Sequence, residues 1–187
     1  MVGSHDRTSE ANGSTQRVDL LSDSSRGRVF PSFRSTEGPE QVMLQPKIKL
    51  TSEEMKYMAL FESTTGATTQ DCVIDEKLGR IIFVAKPGDM GLAIGKGGKN
   101  INQLRRMTSR QIEVVEYADT PEGLIRNSLS PARIKEIRVT ERPDKKIVVV
   151  EVDAQDKAIA IGKNGRTIDK TRLLVKRYFD IDHVVVQ

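Results

Sequence analysis

Two short stretches of this 187-residue chain combine glycine and lysine at a spacing suited to holding an anion: Gly95-Lys96-Gly97-Gly98 and Gly162-Lys163-Asn164-Gly165. A glycine pair flanking two residues lets the backbone turn sharply and leaves no Cβ in the path of an approaching sugar-phosphate chain. The lysine inside each stretch adds a cation where phosphates would pass. Lys99 and Arg166 follow on the same side. A helix starting there would aim its first amide N–H groups at a phosphate. The expected chemistry is gripping a backbone, not breaking a bond.

Other glycine motifs fit poorly. A Walker loop needs glycine five residues before Gly-Lys and Ser or Thr after it. Here Met90 and Lys157 stand at the earlier positions, with Gly97 and Asn164 after. A dinucleotide fingerprint must follow a strand directly, and the second stretch lacks the middle glycine. No catalytic set emerges either. His5 and His183 lie in a tail and in a terminal strand, and Asp89 and Asp156 read as helix N-caps rather than catalysts. No catalytic residue, cofactor, metal ligand or small-molecule substrate is expected.

The two stretches belong to a repeat. Asp89–Ile101 lies over Asp156–Ile168 at a constant offset of 67 residues, with seven identities and no gap. Around each, the same order of elements is legible. In the first copy Thr51-Ser-Glu-Glu54 caps a helix, with Met55, Met58 and Ala59 on one apolar face and Phe61 at its border. Strands Asp71–Asp75 and Ile81–Ala85 follow, then a short helix to Ile94, the loop, a longer helix to about Arg110, and a strand Gln111–Glu116. In the second copy Thr120-Pro121-Glu122 opens a helix to about Leu129. Strands Ile134–Thr140 and Lys146–Val152 flank a turn at Arg142–Lys145. A short helix, the loop, a helix to about Phe179 and a strand from His183 complete it. The fold class is α+β: a tail over 1–50, one unit over 51–118 and a second over 119–187. The three-residue join, Tyr117–Asp119, predicts that the units pack together.

Charge follows the loops. Gly95–Arg110 holds five basic residues and no acid; Lys157–Arg177 holds seven against Asp169 alone. The net charge of +4 fits a polyanionic partner without requiring one. Lys176 and Arg177 read as a solvated helix face. Residues 1–50 are Ser/Gly-rich, with six acids against seven basic residues and no apolar periodicity, so disorder is expected there. The single cysteine, Cys72, excludes an intrachain disulfide and reads as a small buried residue. No stretch reaches the ~20 apolar residues that cross a bilayer. No membrane contact is expected, and the location expected is cytoplasmic. Aromatics at 4% argue against a protein that stacks bases on exposed rings.

An Ile-Gly-Lys-x-Gly loop between two helices, in the order αββααβ, resembles the type II KH domain. Two such units nearly abutting resemble the NusA family in its compact archaeal form. The resemblance implies a single-stranded RNA-binding transcription factor of elongation or termination, with nascent RNA as ligand and RNA polymerase as a further partner. Carried over by position, the RNA-binding residues are Gly95, Lys96, Gly97, Gly98 and Lys99, with Gly162, Lys163, Asn164, Gly165 and Arg166. Ile94, Ile101, Ile161 and Ile168 either line the groove or belong to the core, and Arg105 and Arg106 are expected to line it too. The same fold also serves ribosome assembly and the ribosome, which stands as the alternative. A nucleotide-dependent enzyme is the remote one. Asn164 in place of Gly97 predicts unequal grip by the two loops.

Overall fold

The computed structural model of the chain describes residues 48–142 and 145–187. The tail expectation over 1–50 and the centre of the turn at 142–145 therefore fall almost wholly outside the described residues. In the first copy helix α1 (Ser52–Thr65) leads to strands β1 (Thr69–Asp75) and β2 (Arg80–Ala85), short helix α2 (Met90–Ile94), α3 (Lys99–Thr108) and β3 (Gln111–Glu116). The second comprises α4 (Pro121–Leu129), β4 (Ile134–Arg142), β5 (Lys145–Val152), α5 (Lys157–Ile161), α6 (Arg166–Phe179) and β6 (His183–Val186). Each copy has one three-stranded sheet, in which a hairpin is followed by a parallel third strand. The parallel step requires a crossover, and the helix–loop–helix supplies it.

Helix α1 starts where its capping box lies: Glu54 N–H donates to Thr51 Oγ1 at 3.1 Å, and Thr51 N–H to Glu54 Oε2 at 2.7 Å. Its buried face differs from the expected one. Met55 and Ala59 face solvent, while Phe61 is fully buried, stacked on Phe83 with ring centroids 4.4 Å apart. The aromatic stack outweighs the local 3.6-residue period, and α1 turns its Glu54–Phe61–Thr65 side inward. The two N-cap aspartates also behave differently from expectation. Neither caps its short helix; instead Asp89 accepts the N–H of Thr68 at 2.9 Å and Asp156 that of Arg133 at 2.9 Å. Each carboxylate ties the short helix to the residue just before its unit's first strand.

Sheet β1–β2–β3 is covered on both faces. On one side Cys72, Ile81, Phe83, Ala85 and Ile112 pack under α1, α2 and α3 through Phe61, Ala93 and Leu104. On the other, Val73, Ile82, Val84 and Val115 meet Leu124 of α4 and Leu174 and Tyr178 of α6. All six residues of β2 are consequently buried, whereas β5 alternates, because its sheet is covered on one face only. Its inner residues Val148, Val150 and Val152 join Ile125, Leu129, Val175 and Ile181 in a separate core.

The junction between the copies carries charge at its rim. Arg177 grips Asp71 with two bonds, Nε–Oδ2 at 2.7 Å and Nη2–Oδ1 at 2.8 Å, and Asp71 has no solvent-exposed side-chain surface. Burial works against the Arg177 charge, but the Asp71 carboxylate outweighs it and raises the guanidinium pKa further. Lys170 Nζ lies 3.1 Å from Glu113 Oε2, and the wholly buried Arg80 bridges Asp75, Glu113 and the carbonyl of Arg166. The expected packing of the two units is thus found, and Arg177 is not on a solvated face. Cys72 is buried, and burial first, then Glu54 and Asp71, push its thiol up to about 12.

Arg177→Ala leaves Asp71 buried and uncompensated, so a loss of about 3 kcal/mol is expected in urea unfolding. Burial opposes the Glu113 charge, yet Lys170 and Arg80 hold its pKa below the ordinary carboxylate value. Its contribution is present above the unfolded carboxylate range and lost as pH falls through the lower folded value. Glu113→Gln should therefore flatten the acid side of the stability–pH curve.

Candidate nucleic-acid interface

In both copies the short helix ends one residue before the first loop glycine, a single 3-10 turn spans the lysine to the last glycine, and the long helix starts at once. Gly95 has φ 70, ψ 164 and Gly162 has φ 75, ψ 167, a region open in practice only to glycine. Space imposes the same choice. A Cβ on Gly95 would come within 2.7 Å of the Asn100 side chain, and one on Gly162 within 2.8 Å of the Thr167 backbone nitrogen. Gly98 and Gly165 are left-handed (φ 76 in both). At the third position Gly97 has φ 62, ψ 23 and Asn164 has φ 55, ψ 31. Asparagine tolerates this conformation better than most residues. The two loops therefore have one backbone, and their difference is confined to the Asn164 side chain.

Each loop ends as a helix start with no side-chain cap: Gly98 precedes α3 and Gly165 precedes α6, and neither helix has a capping hydrogen bond from its N-cap residue. Helices so begun carry amide donors that look for an acceptor. Lys96, Lys99 and Lys163 are exposed. Beside the first loop a cleft of about 320 Å³ is lined by Lys99, Asn102, Gln103 and Arg106.

The isoleucines divide. Ile94 and Ile161 are solvent-facing, at 41% and 37% exposure, on the last turn of each short helix. Ile101 is half-buried against the first core, and Ile168 is a core residue at 5% exposure. Sequence reasoning missed Leu92 and Ile159, exposed at 54% and 44% and also 67 residues apart. Their signal was available: two bulky apolar residues at matching places beside a loop, where a merely structural helix would present polar ones. Each loop thus sits beside an exposed apolar pair, Leu92 with Ile94 and Ile159 with Ile161.

Charge is where the copies part. Arg105 touches only Asn102 among side chains, and Lys96, Lys99, Arg105 and Arg106 have no carboxylate partner among the described residues. In the second copy most cations are engaged: Lys170 by Glu113, Arg172 by Asp169, Lys176 by Asp180 and Asp182, and Arg177 by Asp71. Arg166 lies 4.0 Å from Glu113, with its carbonyl held by Arg80. The expected positive excess is fuller around the first loop; around the second, Lys157 and Lys163 have no carboxylate partner among the described residues, while the cations further along α6 are engaged. A larger cavity of about 430 Å³ between the copies is lined by Asp75, Asp169 and Asp182 together with Lys77, Arg172 and Lys176, and its balanced charge does not suit a phosphate chain.

A family model described as KH domain matches residues 42–120, and one described as NusA-like second KH domain matches residues 121–184. A protein of Halobacterium salinarum named probable transcription termination protein NusA is 39% identical over 137 residues, 73% of this chain and 96% of that one. The protein of the same name from Halococcus morrhuae is 35% identical over 74% of this chain and 97% of its own. The chain belongs to the NusA family. Its fold is that of two consecutive KH domains, and the solved crystal structure of APE1850 agrees, with a TM-score of 0.70 at 39% identity over 74% of this chain and all of that one. Among the described residues no helix is long and apolar enough to cross a membrane, and no group of three or more His, Cys, Asp or Glu is placed to hold a metal.

The two kinds of loop glycine should separate on substitution. Gly97 faces open space, so Gly97→Ala carries only the left-handed backbone cost of about 1–2 kcal/mol. Gly162→Ala adds a collision with the Thr167 backbone, and its loss in thermal or urea unfolding should be clearly larger.

Proposed function

We propose that this NusA-family chain is a non-enzymatic, single-stranded RNA-binding factor of transcription elongation and termination. Its two grips are Gly95–Lys99 in a domain over 51–118 and Gly162–Arg166 in a domain over 119–187. The observation that carries the reading is the twice-built loop: one backbone, one lysine position, one uncapped helix start and one exposed apolar pair, repeated at a fixed offset. The amide donors and lysine suit the phosphates, and Leu92 with Ile94, or Ile159 with Ile161, offers the bases an apolar floor. Arg105 and Arg106 extend the cationic track of the first site. Termination-factor names on the relatives favour nascent RNA over ribosomal RNA, and RNA polymerase in the cytoplasm as the setting.

The sites are unequal in charge rather than in loop geometry. The first supplies most of the salt-dependent attraction, and the second holds a strand already delivered. Because the two are coupled, the second engagement is effectively intramolecular and adds affinity without new contacts.

Lys96→Asp with Gly97→Asp should weaken binding of a single-stranded RNA by roughly tenfold or more in anisotropy titrations and reduce its salt dependence. Lys163→Asp with Asn164→Asp should weaken it less. The thermal midpoint should fall by only a few degrees in each case, about what a left-handed or charged loop residue costs. Unchanged affinity in the first variant would remove the loop assignment. Purified chain should retain RNA polymerase in a pull-down and hydrolyse neither ATP nor GTP.

A further inference from the structure

The junction inside the chain has a counterpart at each of its ends. In the junction, Leu124 of α4 and Leu174 of α6 sit on the outer face of the first sheet, and Arg177 closes on Asp71 at its edge. The first copy carries the same helical face without a partner among the described residues. Aligned on the capping threonines Thr51 and Thr120, Met55 occupies the position of Leu124; at the 67-residue offset, Met107 occupies that of Leu174 and Arg110 that of Arg177. Met55 and Met107 are exposed at 51% and 54%, and Arg110 reaches only the solvent-facing Glu76.

The second sheet carries the complementary face, also without a partner among the described residues. Registers fix the correspondence: Val149 stands where Ile82 does, and Glu136, opposite Glu151, stands where Asp71 does, opposite Val84. Ile147, Val149 and Val185 form an apolar stripe on this outer face, with Val185 at 43% exposure and the other two half-buried. Glu136, Glu151 and Arg138 edge it with one negative charge in excess. Burial shows the same vacancy, since every residue of β2 is covered and those of β5 alternate.

We propose that this surface pair is an interface between copies of the chain: the α1–α3 face of one molecule docks on the outer β4–β5–β6 face of the next, repeating the internal junction. Met107 meets Val149, and Arg110 exchanges Glu76 for the partner molecule's equivalent of Asp71, its Glu136. Each molecule has one face of each kind, so the contact is heterologous and extends as an open row unless the rotation closes it. Three apolar residues and one ion pair make a weak joint, which a shared RNA strand would strengthen by holding neighbours together. The contact itself does not depend on RNA binding.

Sedimentation velocity of the full chain without RNA, over a concentration series to about 1 mM, tests it. The weight-average mass should rise with concentration in the wild type. Met107→Glu, at an exposed position, and Val149→Glu, at a half-buried one on the outer sheet face, should each stay monomeric. Mixed together they should form a one-to-one complex that grows no further, because each retains the face the other has lost. A wild type that stays monomeric throughout overturns the proposal. So does a single variant that still associates, or a mixture that does not, either of which points to a symmetric contact or to another protein as the occupant.

Discussion

Arg177 and Asp71 set the frame in which both candidate sites exist. A carboxylate with no exposed surface is tolerable only if its charge is answered in place, and a bidentate guanidinium answers it with fixed direction as well as charge. Arg177 stands on α6, the helix that the second loop opens; Asp71 stands on β1, in the sheet whose crossover contains the first loop. The pair fixes one loop's helix against the other loop's sheet. Arg80 strengthens that coupling at the other end of α6 by holding the carbonyl of Arg166, one residue past Gly165. Tyr178 is buried beside the same carboxylate, and burial followed by the Asp71 charge pushes its phenol up, so it stays neutral there.

That frame has an electrostatic consequence. The basic residues of α6 look in sequence like an RNA-facing track, yet Lys170 and Arg177 serve the junction, and Arg172 and Lys176 are matched by acids on their own unit. The basic residues of α3 have no such duty, since no helix-to-sheet junction forms on that side among the described residues. The first copy therefore keeps Lys96, Lys99, Arg105 and Arg106 for a ligand; in the second only Lys163 of the equivalent positions stays unpaired, since Arg166 and Arg172 lie beside Glu113 and Asp169 and Leu173 stands in place of Arg106. Binding strength and binding geometry are divided between the two copies of one fold.

Element order, the two loops and the strand limits to within two residues were legible in the sequence because they depend on local chemistry: Thr51–Glu54 reads as a cap, Pro87-Gly88 as a break, and the 67-residue offset as duplication. The strand Gln111–Glu116 was placed to the residue. What the sequence did not disclose depends on contacts across the chain. Phe61 reaches Phe83 and rotates α1 away from its apparent apolar face; Asp89 and Asp156 find backbone donors more than twenty residues away instead of their own helix starts. Ile168 and Ile161 lie seven residues apart in similar surroundings, and only the packing of α6 makes one core and leaves the other exposed.

The loops hold the densest runs of positive φ among the described residues, and that bears on their purpose. Three of the four residues in each have positive φ, and in the second copy one of them is not glycine. A connection between two helices has cheaper solutions, since a single left-handed residue ends a helix well enough, as Gly66 does after α1. Apart from the exposed apolar pairs beside the loops, the surfaces of the two copies diverge: the sheet faces differ, the cations are differently occupied, and one helical face is docked while the other is open. A strained backbone reproduced within about ten degrees amid such divergence is explained if the bare loop, with its lysine and the uncapped helix behind it, is the part that must fit an extended phosphate chain.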